Sequence, residues 1–132
     1  MPETTTTYYY ARTLDLSLEE AEERVREELK EEGFGVLTEI DVAATLKKKL
    51  DADFRPYKIL GACNPSFAHQ ALQAEDKIGT MLPCNVIVQE KDGRTEVAAV
   101  DPIASMQAVE NQDLGPIAEQ VRDRLRAVID RL

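Results

Sequence analysis

Soft-nucleophile and imidazole chemistry is confined to one short window of this chain. Cys63, His69 and Cys84 lie within GACNPSFAHQALQAEDKIGTMLPCNVIV, residues 61–88, and they are its only two cysteines and only histidine. Cys63 stands immediately before Asn64-Pro65, a pattern that predicts a helix N-cap followed by proline in the first turn. Free N–H groups and the positive dipole end at such a terminus would stabilise a thiolate. The Asn64 amide and the Ser66 hydroxyl fall at the same mouth. A cysteine placed there could serve as a nucleophile, a sulfur carrier or a soft-metal ligand. The opposing expectation is a small buried residue closing a strand, because free cysteine is among the most buried residue types. Cys84 follows Pro83 and opens an apolar run, so taken alone it reads as core.

The spacing leaves the pairing of these groups open. Twenty residues lie between Cys63 and Cys84, which is not a CxxC redox motif. A disulfide would require their Cα atoms within about 7 Å, and nothing in the spacing compels that. His69, one turn beyond Ser66, reads more naturally as a hydrogen-bonded boundary residue than as a ligand. Cys63, Cys84 and His69 together would supply three ligands to a soft metal ion, one short of a closed structural zinc site. Glu75, Asp76 or a second subunit could complete the set. A single histidine excludes multi-histidine metal centres. No GxSxG elbow supports Ser-His-Asp catalysis, and neither a GxGxxG nor a phosphate-binding P-loop is present. No reaction follows from these residues, so enzymatic activity stays undecided at this level.

The elements that must position the window follow from periodicity. Residues 4–12, rich in Thr and Tyr, predict a strand with Tyr8 and Tyr10 on one face and Tyr9 on the other. Ser17 and Glu20 have capping-box spacing. Leu18, Ala21, Val25 and Leu29 form the apolar stripe of the helix they open, with Gly33 as its stop. Residues 34–40 predict a second strand. Asp41 caps a short helix carrying Val42, Leu46 and Leu50. Residues 55–63 form a third strand, 65–76 a helix, and 77–83 a loop. CNVIVQE and TEVAAV flank KDGR, a hairpin through Asp92-Gly93. Asp101-Pro102 starts a helix over 102–110. A last helix, over 116–131, places Ile117, Val121, Leu125, Val128 and Leu132 on one side. The stripe needs a partner, which this chain's own sheet or a second copy could supply.

Composition sets the outer bounds. At 132 residues, 43% hydrophobic and 31% charged, the chain reads as one soluble α+β domain spanning 1–132. No run reaches the roughly 18 apolar residues of a membrane span. The first residues lack the regions of a signal peptide, so the expected location is cytoplasmic, with reduced thiols. The net charge of −9 argues against nucleic acid and anionic membranes as partners.

Three stretches carry a family resemblance. GFGVLTEIDV (33–42), YKILGACNPSFAHQAL (57–72) and IGTMLPCNVIV (78–88), with Pro102 after the hairpin, resemble domain-of-unknown-function family 302 over about residues 8–110. The resemblance implies a small bacterial or archaeal α+β domain in which helices pack on a curved, mainly antiparallel sheet of about five strands, often paired as a homodimer. It attaches no activity. It carries Cys63, Asn64, Pro65, Pro83 and Cys84 over as the site, with His69 and Tyr57 less securely matched.

Two functional expectations follow. The first is a small-ligand or soft-metal binding, thiol-handling domain whose site comprises Cys63, Asn64, Ser66, His69, Pro83 and Cys84. The second is a non-enzymatic structural or interaction domain in which both cysteines are core residues. A hydrolase or isomerase using His69 as a base ranks last.

Overall fold

A capping box starts the first helix, α1 (Leu18–Glu31): the Glu20 amide donates to Ser17 Oγ and the Ser17 amide to Glu20 Oε1, both at 3.1 Å. The computed structural model describes residues 4–5 and 8–132. Helix α1 ends where Gly33 takes φ +86°, with the Gly33 amide bonded to the Lys30 carbonyl and Phe34 to Leu29. These two bonds make a Schellman closure that a residue with a Cβ would strain.

The strand expected over 4–12 is shorter and later. A two-residue β1 (Thr4–Thr5) pairs with β2 (Tyr9–Leu14), and residues 6 and 7 lie outside the described residues. Tyr8 precedes β2. Its ring stands edge-on to Tyr9 at 4.8 Å, so it does not share a face with Tyr10. Tyr10 instead donates to Asp130 Oδ1 at 2.6 Å. The remaining strands are β3 (Gly35–Asp41), β4 (Tyr57–Cys63), β5 (Cys84–Lys91) and β6 (Arg94–Val100). They form one antiparallel sheet in the order β1-β2-β6-β5-β4-β3. Asp92 and Gly93, with φ of 53° and 78°, turn the β5–β6 hairpin as the sequence predicts.

The helices are α2 (Val42–Leu50), α3 (Pro65–Ala74), α4 (Pro102–Ser105) and α5 (Leu114–Asp130). A short 3-10 turn at Ile78–Met81 interrupts the expected loop. Helix α4 is one turn long, where the sequence suggested a helix to 110.

One face of the sheet carries the core. Alternate residues Leu60, Val86, Val88 and Val97 meet Leu18, Val25 and Leu29 of α1 and Val121, Leu125 and Val128 of α5. The long stripe of α5 is therefore covered by the chain's own sheet. The stripe expected on α2 behaves differently: none of its residues is buried, and Leu50 is 70% exposed. Helix α2 packs against β4 and the edge strand β3 without any of its residues becoming buried. No helix among the described residues is long and apolar enough to cross a membrane.

Candidate functional site

The antiparallel β4–β5 ladder brings the two thiols to one end of the sheet. Ala62 lies directly opposite Cys84, so Cys63 is its diagonal neighbour, half a pleat out of phase. Both cysteines are free thiols. Both border a cavity of about 30 Å³ whose wall includes Phe34, Phe67, Pro83 and Met106. That space suits a water molecule and is an order of magnitude below the usual volume of a small-molecule site.

The electrostatics run against an activated thiol. Burial pushes the Cys63 thiol above its ordinary value. Burial, followed by the neighbouring Cys63, pushes Cys84 up to about 11. The cavity wall is largely hydrocarbon, which disfavours the anion expected at the start of α3. Cys84 is also a member of the main hydrophobic cluster.

The neighbours of Cys63 have other tasks. Asn64 occupies the N-cap position of α3, yet its side chain caps nothing there. Its Nδ2 donates to the Glu32 carbonyl at 3.2 Å, tying the start of α3 to the end of α1. Pro83 follows a cis peptide bond and packs over Gly61, where an added Cβ would lie 2.8 Å from Pro83 Cγ. Ser66 and His69 are exposed and do not border the cavity. Among the described residues no three His, Cys, Asp or Glu side chains group closely enough to hold a metal ion. The structure thus gathers Cys63, Asn64, Pro83 and Cys84 at one place and leaves Ser66 and His69 outside it.

The opposite face of the sheet holds a larger feature. Ile40, Ile59, Ile87 and Ala98 stand in register across β3, β4, β5 and β6. Ile40 is 47% exposed, and Ile59 and Ile87 are half-buried. A groove of about 420 Å³ runs over this face, bordered by Tyr8, Tyr9, Tyr57, Ile87, Gln89 and Glu96. Gln89 is buried between two charged partners: Arg55 Nε donates to its Oε1 at 2.8 Å, and its Nε2 donates to Glu96 Oε1 at 2.8 Å. The Arg55 guanidinium lies over the rings of Phe54 and Tyr57, at 4.5 and 5.7 Å from their centroids. Sequence reading overlooked Arg55, Gln89 and Glu96. The signal available was the strict alternation in CNVIVQE, which separates Asn85, Ile87 and Gln89 from Cys84, Val86 and Val88.

Known proteins supply a frame for this geometry. The sequence matches the family described as Domain of unknown function DUF302 over residues 10–132, so the match takes in α5 as well as the sheet. The crystal structure of an uncharacterized conserved DUF302 protein from Bacillus stearothermophilus is similar throughout. It has 33% sequence identity and a TM-score of 0.89, and the overlap covers 96% of this chain and 98% of that one. No curated protein matches the chain.

Proposed function

This chain belongs to the DUF302 family, and from its two candidate sites we propose that it is a non-enzymatic binding domain whose working surface is the open face of the sheet. One contrast carries the reading. The groove over β4, β5 and β6 offers about 420 Å³, within the range of ligand sites, whereas the thiol cavity offers about 30 Å³. In this reading Cys84 is a core residue and Cys63 lines a packing defect beside it. A saturable increase in 8-anilinonaphthalene-1-sulfonate fluorescence on the native protein, lost in Ile87→Glu with the urea midpoint unchanged, is the expected result. Undiminished binding to folded Ile87→Glu overturns the reading.

A second reading keeps the thiols as the site and rests on one observation: two free cysteines border the same cavity. A soft monovalent metal ion needs only two thiolate ligands, and thiolates select such ions over harder ones. The cost of ionising Cys84 would be offset by the metal–thiolate bond, its proton passing to solvent, so affinity should rise with pH. Copper(I) titration against a chromophoric chelator, compared with Cys63→Ser and Cys84→Ser, tests it. Equal affinity in the native protein and both variants removes the thiol site.

A further inference from the structure

The β4–β5 register fixes how far apart the two thiol-bearing residues stand. Ala62 is the Cα partner of Cys84, and the ladder ends with that pair. Directly opposed Cα atoms lie about 4.5–5.5 Å apart, and the rise to the next residue along a strand is about 3.4 Å. The Cα atoms of Cys63 and Cys84 are therefore about 6 Å apart, inside the span of about 4.4–6.8 Å that disulfides adopt. Alternation along β4 starts the Cys63 side chain toward the other face of the sheet from Ala62. Yet Cys63 is the last residue of β4, pairs with Gly35 of β3 and not with β5, and borders the same cavity as Cys84.

The cavity favours one chemistry of a thiol pair over another. Among the described residues, no charged side chain borders it. A monovalent ion held by two thiolates leaves a net anion in that hydrocarbon setting, whereas a disulfide leaves no charge and no unpaired S–H donor. Access is unequal. Cys63 is half-buried and Cys84 buried, so an oxidant arriving from solvent meets Cys63 first. The space beside them, about 30 Å³, suits a water-sized molecule and so an oxidant no bulkier than a small peroxide.

From this juxtaposition we propose that Cys63 and Cys84 are a reversible modification site, which hydrogen peroxide converts to an intramolecular disulfide. The inference rests on the nearness of the two sulfurs, as the second reading above does, but needs no metal, and it is independent of the open face. The Cys63 thiolate attacks one peroxide oxygen and the O–O bond breaks. The departing hydroxide takes up the proton that Cys63 released and becomes water, leaving Cys63 as the sulfenic acid. The Cys84 sulfur then attacks the Cys63 sulfur and the S–O bond breaks. The second hydroxide leaves as water with the Cys84 proton. Two thiols give up two electrons and one peroxide accepts them, yielding one disulfide and two waters. Burial, which raises both thiols, makes the reaction slow at neutral pH and faster as pH rises. A dithiol reductant returns both thiols.

The test treats the folded full chain with hydrogen peroxide in the presence of a metal chelator, then unfolds it, alkylates it with iodoacetamide and measures its mass. The expected product has lost two hydrogen atoms, takes up no alkyl group, and yields one cross-linked pair of peptides holding Cys63 and Cys84. It runs as a monomer on a non-reducing gel and reverts with dithiothreitol. The backbone amide signals of β4 and β5 should persist, and the urea midpoint should lie above that of the reduced chain. Cys63→Ser should slow the oxidation of Cys84 severalfold. Conversion of Cys63 to the sulfinic acid with Cys84 still open to alkylation overturns the proposal. So does a disulfide that forms only after urea has unfolded the chain, or one that joins two chains. If no disulfide forms while copper(I) binding still requires both cysteines, the disulfide falls and the metal reading stands, the sulfurs being spaced for an ion rather than a bond. If both fail, the two cysteines are packing residues only.

Discussion

The two faces of one sheet are built from neighbouring residues of the same strands, yet they obey different rules. Leu60, Val86 and Val88 face the helices and are fully buried. Ile59 and Ile87, each one residue away, face the groove and are half-buried. A helix covers one face because α1 and α5 each bring a continuous apolar stripe to it. The other face is left to α2, in which no residue is buried. Burial therefore concentrates on one side of the sheet.

Truncating adjacent positions of β4 separates the two faces most widely. Leu60→Ala removes a fully buried side chain and should cost about 2–5 kcal/mol in urea unfolding. Ile59→Ala, next along β4, should cost less than about 1.5 kcal/mol, because part of its surface already meets solvent. Equal costs would mean that the open face is as well packed as the core.

A second test uses pH and the thiol end of the packed face. Cys84 ionises near 9.0 when unfolded and at about 11 in the folded chain. A folded value raised above the unfolded one gives full stability below pH 9. That stability is then lost as pH rises through the window up to about 11. The loss should be on the order of 3 kcal/mol, at about 1.36 kcal/mol for each pH unit of difference. Cys84→Ala should flatten that alkaline limb at some cost in packing. A limb of unchanged steepness would show that Cys84 is not as enclosed as its position implies. The same enclosure predicts slow alkylation of Cys84 by iodoacetamide at neutral pH.

The packed face was legible before any coordinates, and the open face was not. The stripes Leu18-Ala21-Val25-Leu29 and Val121-Leu125-Val128 are period-3.6 signals that say which side is wet, and both bury as read. Asp41 capping Ala44 and the Asp92-Gly93 turn were equally explicit, since each depends on a local backbone geometry that few residues satisfy. The thiol site was only partly readable. Proximity of Cys63 and Cys84 depends on the β4–β5 register, and His69 fell outside because α3 turns it to solvent. Polarity at a helix start can be inferred from sequence. The dielectric around it depends also on Phe34 and Met106, which arrive from segments distant from Cys63. The Arg55–Gln89–Glu96 chain was invisible for the same reason, as its members meet only through strand pairing.

Gly61 marks the point where the open face does close. A Cβ there would collide with Thr38 Oγ1 from β3 and with Pro83 Cγ from the loop before β5. Gly61→Ala should therefore cost about 1–2 kcal/mol by forcing Thr38 and Pro83 apart. Gly61→Ala combined with Thr38→Ser should recover little of it, because the hydroxyl remains and Pro83 cannot rotate away. A neutral Gly61→Ala would show that this corner of the face has room to spare, and the groove would then extend to β3.

The smallest expected effect lies at the rim between the two faces. Glu22 of α1 accepts hydrogen bonds from Lys58 Nζ at 2.9 Å and from Arg26 Nε at 3.0 Å, and both cations also reach Glu39. Burial alone would raise the Glu22 carboxyl, but the bonds from Lys58 and Arg26 outweigh it and hold the group below its ordinary value. The Lys58 ammonium is raised by Glu22 and Glu39 in return. A depressed folded value means that the contribution of Glu22 is complete above its ordinary value of 4.5 and fades as pH falls through the folded one. Glu22→Gln should thus cost up to about 1 kcal/mol at neutral pH and progressively less as pH falls below 4.5, read from urea midpoints across that range. A cost that persists in acid would assign Glu22 to packing between α1 and β4 rather than to charge. The boundary between the two faces would then be held by shape alone.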